Sequence, residues 1–132
     1  MKPEERSSQP ETRPEGGQPK NFLRPCLLLL LKEAPAHGYD LLEKLTGFGL
    51  PRDPGGLYRT LRALEHEGLV RSRWEPAVHG RDRRAYQLTR QGEEWLHSWA
   101  NALEDSRGVI DRYLDRYRLA VQGANQPAAI RR

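Results

Sequence analysis

The chain has 132 residues, room for one domain of ordinary size and not two. It carries 22 Lys and Arg against 18 Asp and Glu, a net charge of +4, and one cysteine, Cys26, which excludes an intrachain disulfide and a cysteine zinc site. The surplus is uneven: residues 1–20 cancel, residues 21–88 hold three excess positive charges, residues 89–120 nearly balance, and Arg131 and Arg132 end the chain. A basic middle favours nucleic acid or another anionic surface. The longest apolar run, 26–31, falls far short of the roughly 20 residues that cross a bilayer. The N-terminus opens on charged, Pro-rich sequence without a signal-peptide pattern. A cytoplasmic protein without membrane contact is expected.

Residues 1–20 are rich in Pro, Glu, Ser, Gln and Gly, and residues 121–132 are similar; both are expected to be disordered. Residues 22–32 are almost wholly apolar, with Pro25 near the start, where a helix tolerates it, and Pro35 beyond the end. A helix apolar on all sides must be buried on all sides, which points to a partner subunit covering Phe22, Leu27 and Leu30. Residues 38–46 predict a short amphipathic helix with Tyr39, Leu41, Leu42 and Leu45 inward, closed by Gly47 and Gly49. Asp53 and Pro54 form an N-cap and first helical position. Leu57, Leu61 and Leu64 then mark the buried face of a third helix, and Gly68 marks its end.

Residues 69–75 and 84–88 alternate. Val70 and Trp74 lie on one face of the first strand, and Tyr86 and Leu88 lie inward on the second. The loop between them exposes Arg81 and Arg83. Thr89 then caps a long helix to about Ala120. Leu96, Trp99, Leu103, Ile110, Tyr113, Tyr117 and Ala120 fall on it at the three-four spacing of a coiled seam, interrupted by Ser106. The expected fold is therefore mainly α with a small β-hairpin wing. It comprises a winged helix-turn-helix over 21–88 and a C-terminal dimerisation helix over 89–120.

A helix that reads DNA presents donors to base edges and phosphates. Tyr58, Arg59 and Arg62 on the third helix suit this, because Arg pairs bidentately with guanine or phosphate. Gly55 and Gly56 in its first turn would let the backbone approach phosphate closely. His79, Arg81, Arg83 and Arg84 make the hairpin a basic wing that would lie along the duplex backbone. A solvated charge run is the ordinary reading of such arginines. Their clustering on the two elements that would face DNA favours function.

The segments His37-Gly38-Tyr39-Asp40-Leu41, Gly56-Leu57-Tyr58-Arg59-Thr60-Leu61, Leu64-Glu65-His66-Glu67-Gly68-Leu69-Val70 and Tyr86-Gln87-Leu88-Thr89-Arg90-Gln91-Gly92 together resemble the PadR family of transcriptional regulators. The resemblance spans residues 22 to about 118. It implies a homodimeric repressor whose first and last helices form the interface, binding double-stranded DNA and released by a small aromatic or lipophilic effector. Lys20-Asn21-Phe22-Leu23 and Asp53-Pro54-Gly55 are similar to members described as polyhydroxybutyrate-responsive repressors. The family often has Ser or Thr where Gly56 stands, which removes one hydroxyl contact and bears on base specificity.

His37 reads as support for the turn before the second helix. Trp95 and Trp99 could line an effector pocket, although aromatics at helical spacing are more often interface packing. No cofactor is implied, and no metal-ligand spacing is present. Glu93-Glu94 and Glu104-Asp105 diverge on a helix and make poor acid-base pairs, so an enzyme is not expected. The alternative to a regulator is a protein-interaction or granule-surface module on the same scaffold, which would need no basic wing.

Overall fold

In the computed structural model, residues 19–77, 80 and 83–124 are described. The elements are α1 (Leu23–Glu33), β1 (Ala36–His37), α2 (Gly38–Leu45) with a 3-10 turn at Thr46–Phe48, α3 (Pro54–His66), β2 (Val70–Glu75), β3 (Arg83–Leu88) and α4 (Arg90–Ala124). Three strands form one antiparallel sheet in the order β1-β3-β2. The hairpin register sets Val70 opposite Leu88 and Trp74 opposite Arg84. This is the expected mainly helical winged fold with one strand added. β1 pairs Ala36 with Tyr86 and His37 with Ala85. It is too short to show alternation, and Pro35 before it reads as a stop.

The caps follow from the residues. The Asp53 carboxylate accepts the Gly56 N–H at 3.1 Å, with Pro54 at the first helical position of α3. At the other end the Leu69 N–H donates to the Leu64 carbonyl, and the Gly68 N–H donates to that of Glu65. Gly68 adopts φ +82° there, the left-handed conformation this closure needs. Thr89 joins sheet to helix. Its hydroxyl accepts the Gly92 N–H at 2.9 Å and reaches the Gly68 carbonyl at 2.8 Å. A Cβ on Gly92 would collide with the Leu69 carbonyl and would approach Leu88 Cδ1 to 2.7 Å. Glycine three residues after the threonine is what allows the long helix to start against the sheet.

The core is aliphatic. Leu27, Leu28, Leu41, Leu57, Leu61, Leu64, Leu69 and Val70 are fully buried. α1 runs through its middle and touches α2, α3, β3 and α4. This corrects the reading of its all-round apolar surface. Leu27 is 0% and Leu30 5% exposed within a single chain, so neither has surface to offer a partner. Phe22 is half-buried, edge-on to Phe48 at 6.4 Å. Burial raises the Cys26 thiol to about 11, which keeps it protonated at neutral pH.

Tyr39, expected inward, and Trp74, on the strand face of Val70, are both exposed. Tyr39 lies off the buried face of α2, which runs through Gly38, Leu41, Leu42 and Leu45. Trp74 shares a strand face with Val70, yet it stands exposed toward the far end of the hairpin.

α4 has 35 residues, a length of roughly 52 Å at 1.5 Å per residue. Only its first turns pack on the core, through Trp95 and Leu96. Lys32 pairs with Glu93 across the α1–α4 contact at 2.6 Å. The helix continues four residues past the expected end at Ala120. No helix among the described residues is long and apolar enough to cross a membrane.

Candidate nucleic-acid interface

Gly55, Tyr58, Arg59 and Arg62 recur at three- and four-residue intervals and are all exposed, on the face of α3 opposite Leu57, Leu61 and Leu64. One helix thus carries a leucine anchor on one side and a donor-rich strip on the other. Gly56 does not belong to that strip. It is buried, and a Cβ there would run into the Asp53 carboxylate, with Asp53 Cγ at 3.0 Å. Its place is to let the N-cap close. Ser or Thr at this position would displace the cap, so the glycine trades a hydroxyl for a tighter helix start.

The wing stands beside this strip. Arg83 and Arg84 are exposed on β3. Arg84 is already engaged: its guanidinium carbon lies 4.8 Å from the centre of the Trp74 ring, and its Nε donates to Ser72 Oγ at 2.8 Å. The Ser72 hydroxyl donates in turn to Glu65 Oε2 at 2.9 Å, which links the wing to α3. His79 and Arg81 lie outside the described residues.

His37 ties the other side of the wing. Its Nε2 lies 2.9 Å from Glu75 Oε1 and its Nδ1 3.5 Å from Asp40 Oδ2, spanning β2, β1 and the start of α2. The hydrogen bond with His37 holds the Glu75 carboxyl below the usual range, with Arg73 adding to it. That contact stabilises fully above the ordinary glutamate range and fades as pH falls through the lowered folded value. Supporting the turn is therefore half of what His37 does; joining the hairpin to α2 is the other half.

A cleft of about 330 Å³ opens between α2, α3 and the wing, lined by His37, Gly38, Tyr39, Tyr58, Trp74, Arg83, Arg84 and Tyr86. Tyr58 lies across Gly38, where a Cβ would stand 2.7 Å from the tyrosine oxygen. Sequence reasoning missed Trp74 and Tyr39 here: Tyr39 was placed inward, and Trp74 was placed only on the strand face of Val70. Their signal was weak: apolar residues at the edge of an amphipathic pattern.

On α4, Ile110, Tyr113 and Tyr117 are exposed by 55%, 68% and 54%. Trp99 and Leu103 are half-buried. A groove of about 590 Å³ runs along Val109, Arg112, Tyr113, Arg116, Tyr117 and Ala120. Trp95 and Trp99 pack at 5.6 Å with planes tilted by 37°, and the Arg24 guanidinium lies 5.4 Å from the Trp95 ring. They border a shallow apolar groove of about 220 Å³ with Ser98 and Ala102. Among the described residues no group of three metal-ligating side chains gathers.

The family described as Transcriptional regulator PadR-like matches residues 27–98. The transcriptional regulator Rv3488 of Mycobacterium tuberculosis is 41% identical over 69 residues, 52% of this chain and 64% of that protein. The chain thus spans less than two thirds of that relative. The crystal structure of TM0937, called a potential transcriptional factor, is 33% identical with a TM-score of 0.69, covering 82% of this chain and 99% of that one. Bacillus subtilis PadR, solved in complex with operator DNA, is 25% identical with a TM-score of 0.57, covering 61% of this chain and 47% of that one. With the leucine-anchored donor strip, the basic wing and the Thr89–Gly92 junction in place, these matches settle the kinship: the chain belongs to the PadR-like family of transcriptional regulators.

Proposed function

We propose that this chain is a sequence-specific DNA-binding transcriptional regulator that acts as a homodimeric repressor in the cytoplasm. The observation that carries the reading is the sidedness of α3. Its apolar face is fully buried, and Gly55, Tyr58, Arg59 and Arg62 stand together on the exposed face beside the arginines of the wing. The operator complex of Bacillus subtilis PadR supports DNA as the partner. Tyr58, Arg59 and Arg62 enter the major groove, and Arg83 and Arg84 follow the backbone. Two copies pair through Leu96, Trp99, Leu103, Ile110, Tyr113 and Tyr117. Their reading helices then meet successive major grooves roughly 34–36 Å apart. A small aromatic or lipophilic effector seated near Trp95 and Trp99 would shift the two heads between arrangements and lower affinity.

Arg62→Ala tests the reading helix. Binding is measured against a panel of single-base-pair variants of the chain's own upstream DNA. Discrimination at one base pair falls by about 1–3 kcal/mol while binding to unrelated DNA persists. Unaltered discrimination at every base pair would remove Arg62 from base recognition.

A further inference from the structure

Outside α4, the most exposed large hydrophobic side chains among the described residues are Trp74 and Tyr39, at 61% and 60%. Both border the cleft between α2, α3 and the wing. Indole and phenol surfaces standing open together mark a surface that something covers.

One cationic side chain of this cleft is held in place. Arg84 rests on Trp74 and spends its Nε on Ser72, which Glu65 of α3 anchors. The plane of its guanidinium is therefore fixed, and among the described residues no salt bridge occupies its terminal nitrogens. Arg83 stands next to it and lines the same cleft, while Arg52, outside the lining and paired with Glu43 at 3.2 Å, approaches the Tyr39 ring at 5.9 Å. The acidic groups nearby already have partners within the fold: Asp40 and Glu75 both face His37, Glu75 also faces Arg73 at 3.6 Å, and Glu65 accepts from Ser72. What remains is a cleft with arginines at its mouth and aromatic walls, opening beside the exposed strip of α3.

We propose that this cleft seats one phosphodiester of the operator backbone in each half-site, with Arg83 and Arg84 on the phosphate and Trp74 and Tyr39 against its flanking deoxyriboses. The inference rests on the DNA-binding reading and extends it to two aromatic contacts. Charge complementarity selects the occupant, since a planar pinned guanidinium suits phosphate. The aromatic walls select a phosphate that carries sugars, because a free anion would leave them uncovered. The position also fits, because backbone contacts set register beside the groove that a helix reads.

The test uses duplexes of the chain's own upstream DNA in which single phosphates are replaced in turn by neutral methylphosphonates. Wild type loses affinity on the order of tenfold at the seated phosphate. In Trp74→Leu and Arg84→Met the penalty at that one position shrinks to under about twofold, while penalties elsewhere persist. Tyr39→Leu, altered at an exposed site, repeats the pattern in a variant whose core is untouched, and circular dichroism confirms the fold of all three. Equal penalties in wild type and variants at every phosphate overturn the cleft assignment. Failure of wild type to bind any duplex overturns the regulator reading instead.

Discussion

Ile110→Asp separates the two subunits. Among the described residues α4 packs on the buried core only through its first turns, and Ile110, Tyr113 and Tyr117 stand more than half exposed along one line. Most helical stability in proteins comes from packing an apolar face, and under the proposed pairing the second copy supplies that packing to the exposed seam. In a symmetric pair one substitution places two carboxylates in the seam, and each loses hydration without gaining a counterion. Disruption of a central interface position costs about 2–4 kcal/mol, or roughly 30- to 1000-fold in dimer dissociation. Sedimentation then finds monomers at concentrations where wild type is paired, and circular dichroism finds fewer helical residues. Both half-sites can no longer be held by one assembly, so operator affinity falls with the dimer. An unchanged sedimentation profile would refute the seam.

Leu61→Ala destabilises the reading head and leaves its chemistry intact. Leu61 is 0% exposed on α3, which packs on α1, α2 and β2. Truncating a buried leucine costs about 2–5 kcal/mol through lost transfer energy and the cavity left behind. For a domain of this size the melting temperature falls by roughly 8–20 °C. At low temperature, where the variant remains folded, base discrimination stays as in wild type, in contrast to Arg62→Ala. Loss of discrimination in the folded Leu61→Ala protein would mean that the leucine face and the reading face are not separable.

Much of this architecture was legible because its signals are local. Asp53 before Pro54, Gly68 after a leucine repeat and Thr89 three residues before Gly92 each satisfy backbone groups within one turn, so the residue types alone locate the helix ends. The donor strip of α3 is equally readable, since the leucines dictate which face remains. The errors arise where burial depends on the whole fold. The apolar circumference of α1 is consistent with a partner or with a central place in the core, and no local pattern distinguishes them. The core claimed Leu27 and Leu30. Tyr39 reads as inward by its spacing yet lies off the buried face of α2, and Trp74 shares a strand face with buried Val70 yet stands exposed toward the end of the hairpin. Gly56 illustrates a third kind of error: a glycine beside a phosphate-facing helix start suggested close approach to DNA, and its real neighbour is the Asp53 cap.

The central claim is that α3 and the wing grip DNA. The most direct measurement is an anisotropy titration of wild-type protein against its own upstream intergenic DNA and a scrambled duplex at two salt concentrations. Binding that prefers its own upstream DNA and weakens steeply with salt is the predicted result, since arginine–phosphate contacts release counterions. Equal weak binding to both duplexes, or none, would contradict it, and the long helices and their aromatic seam would then belong to a protein-interaction module.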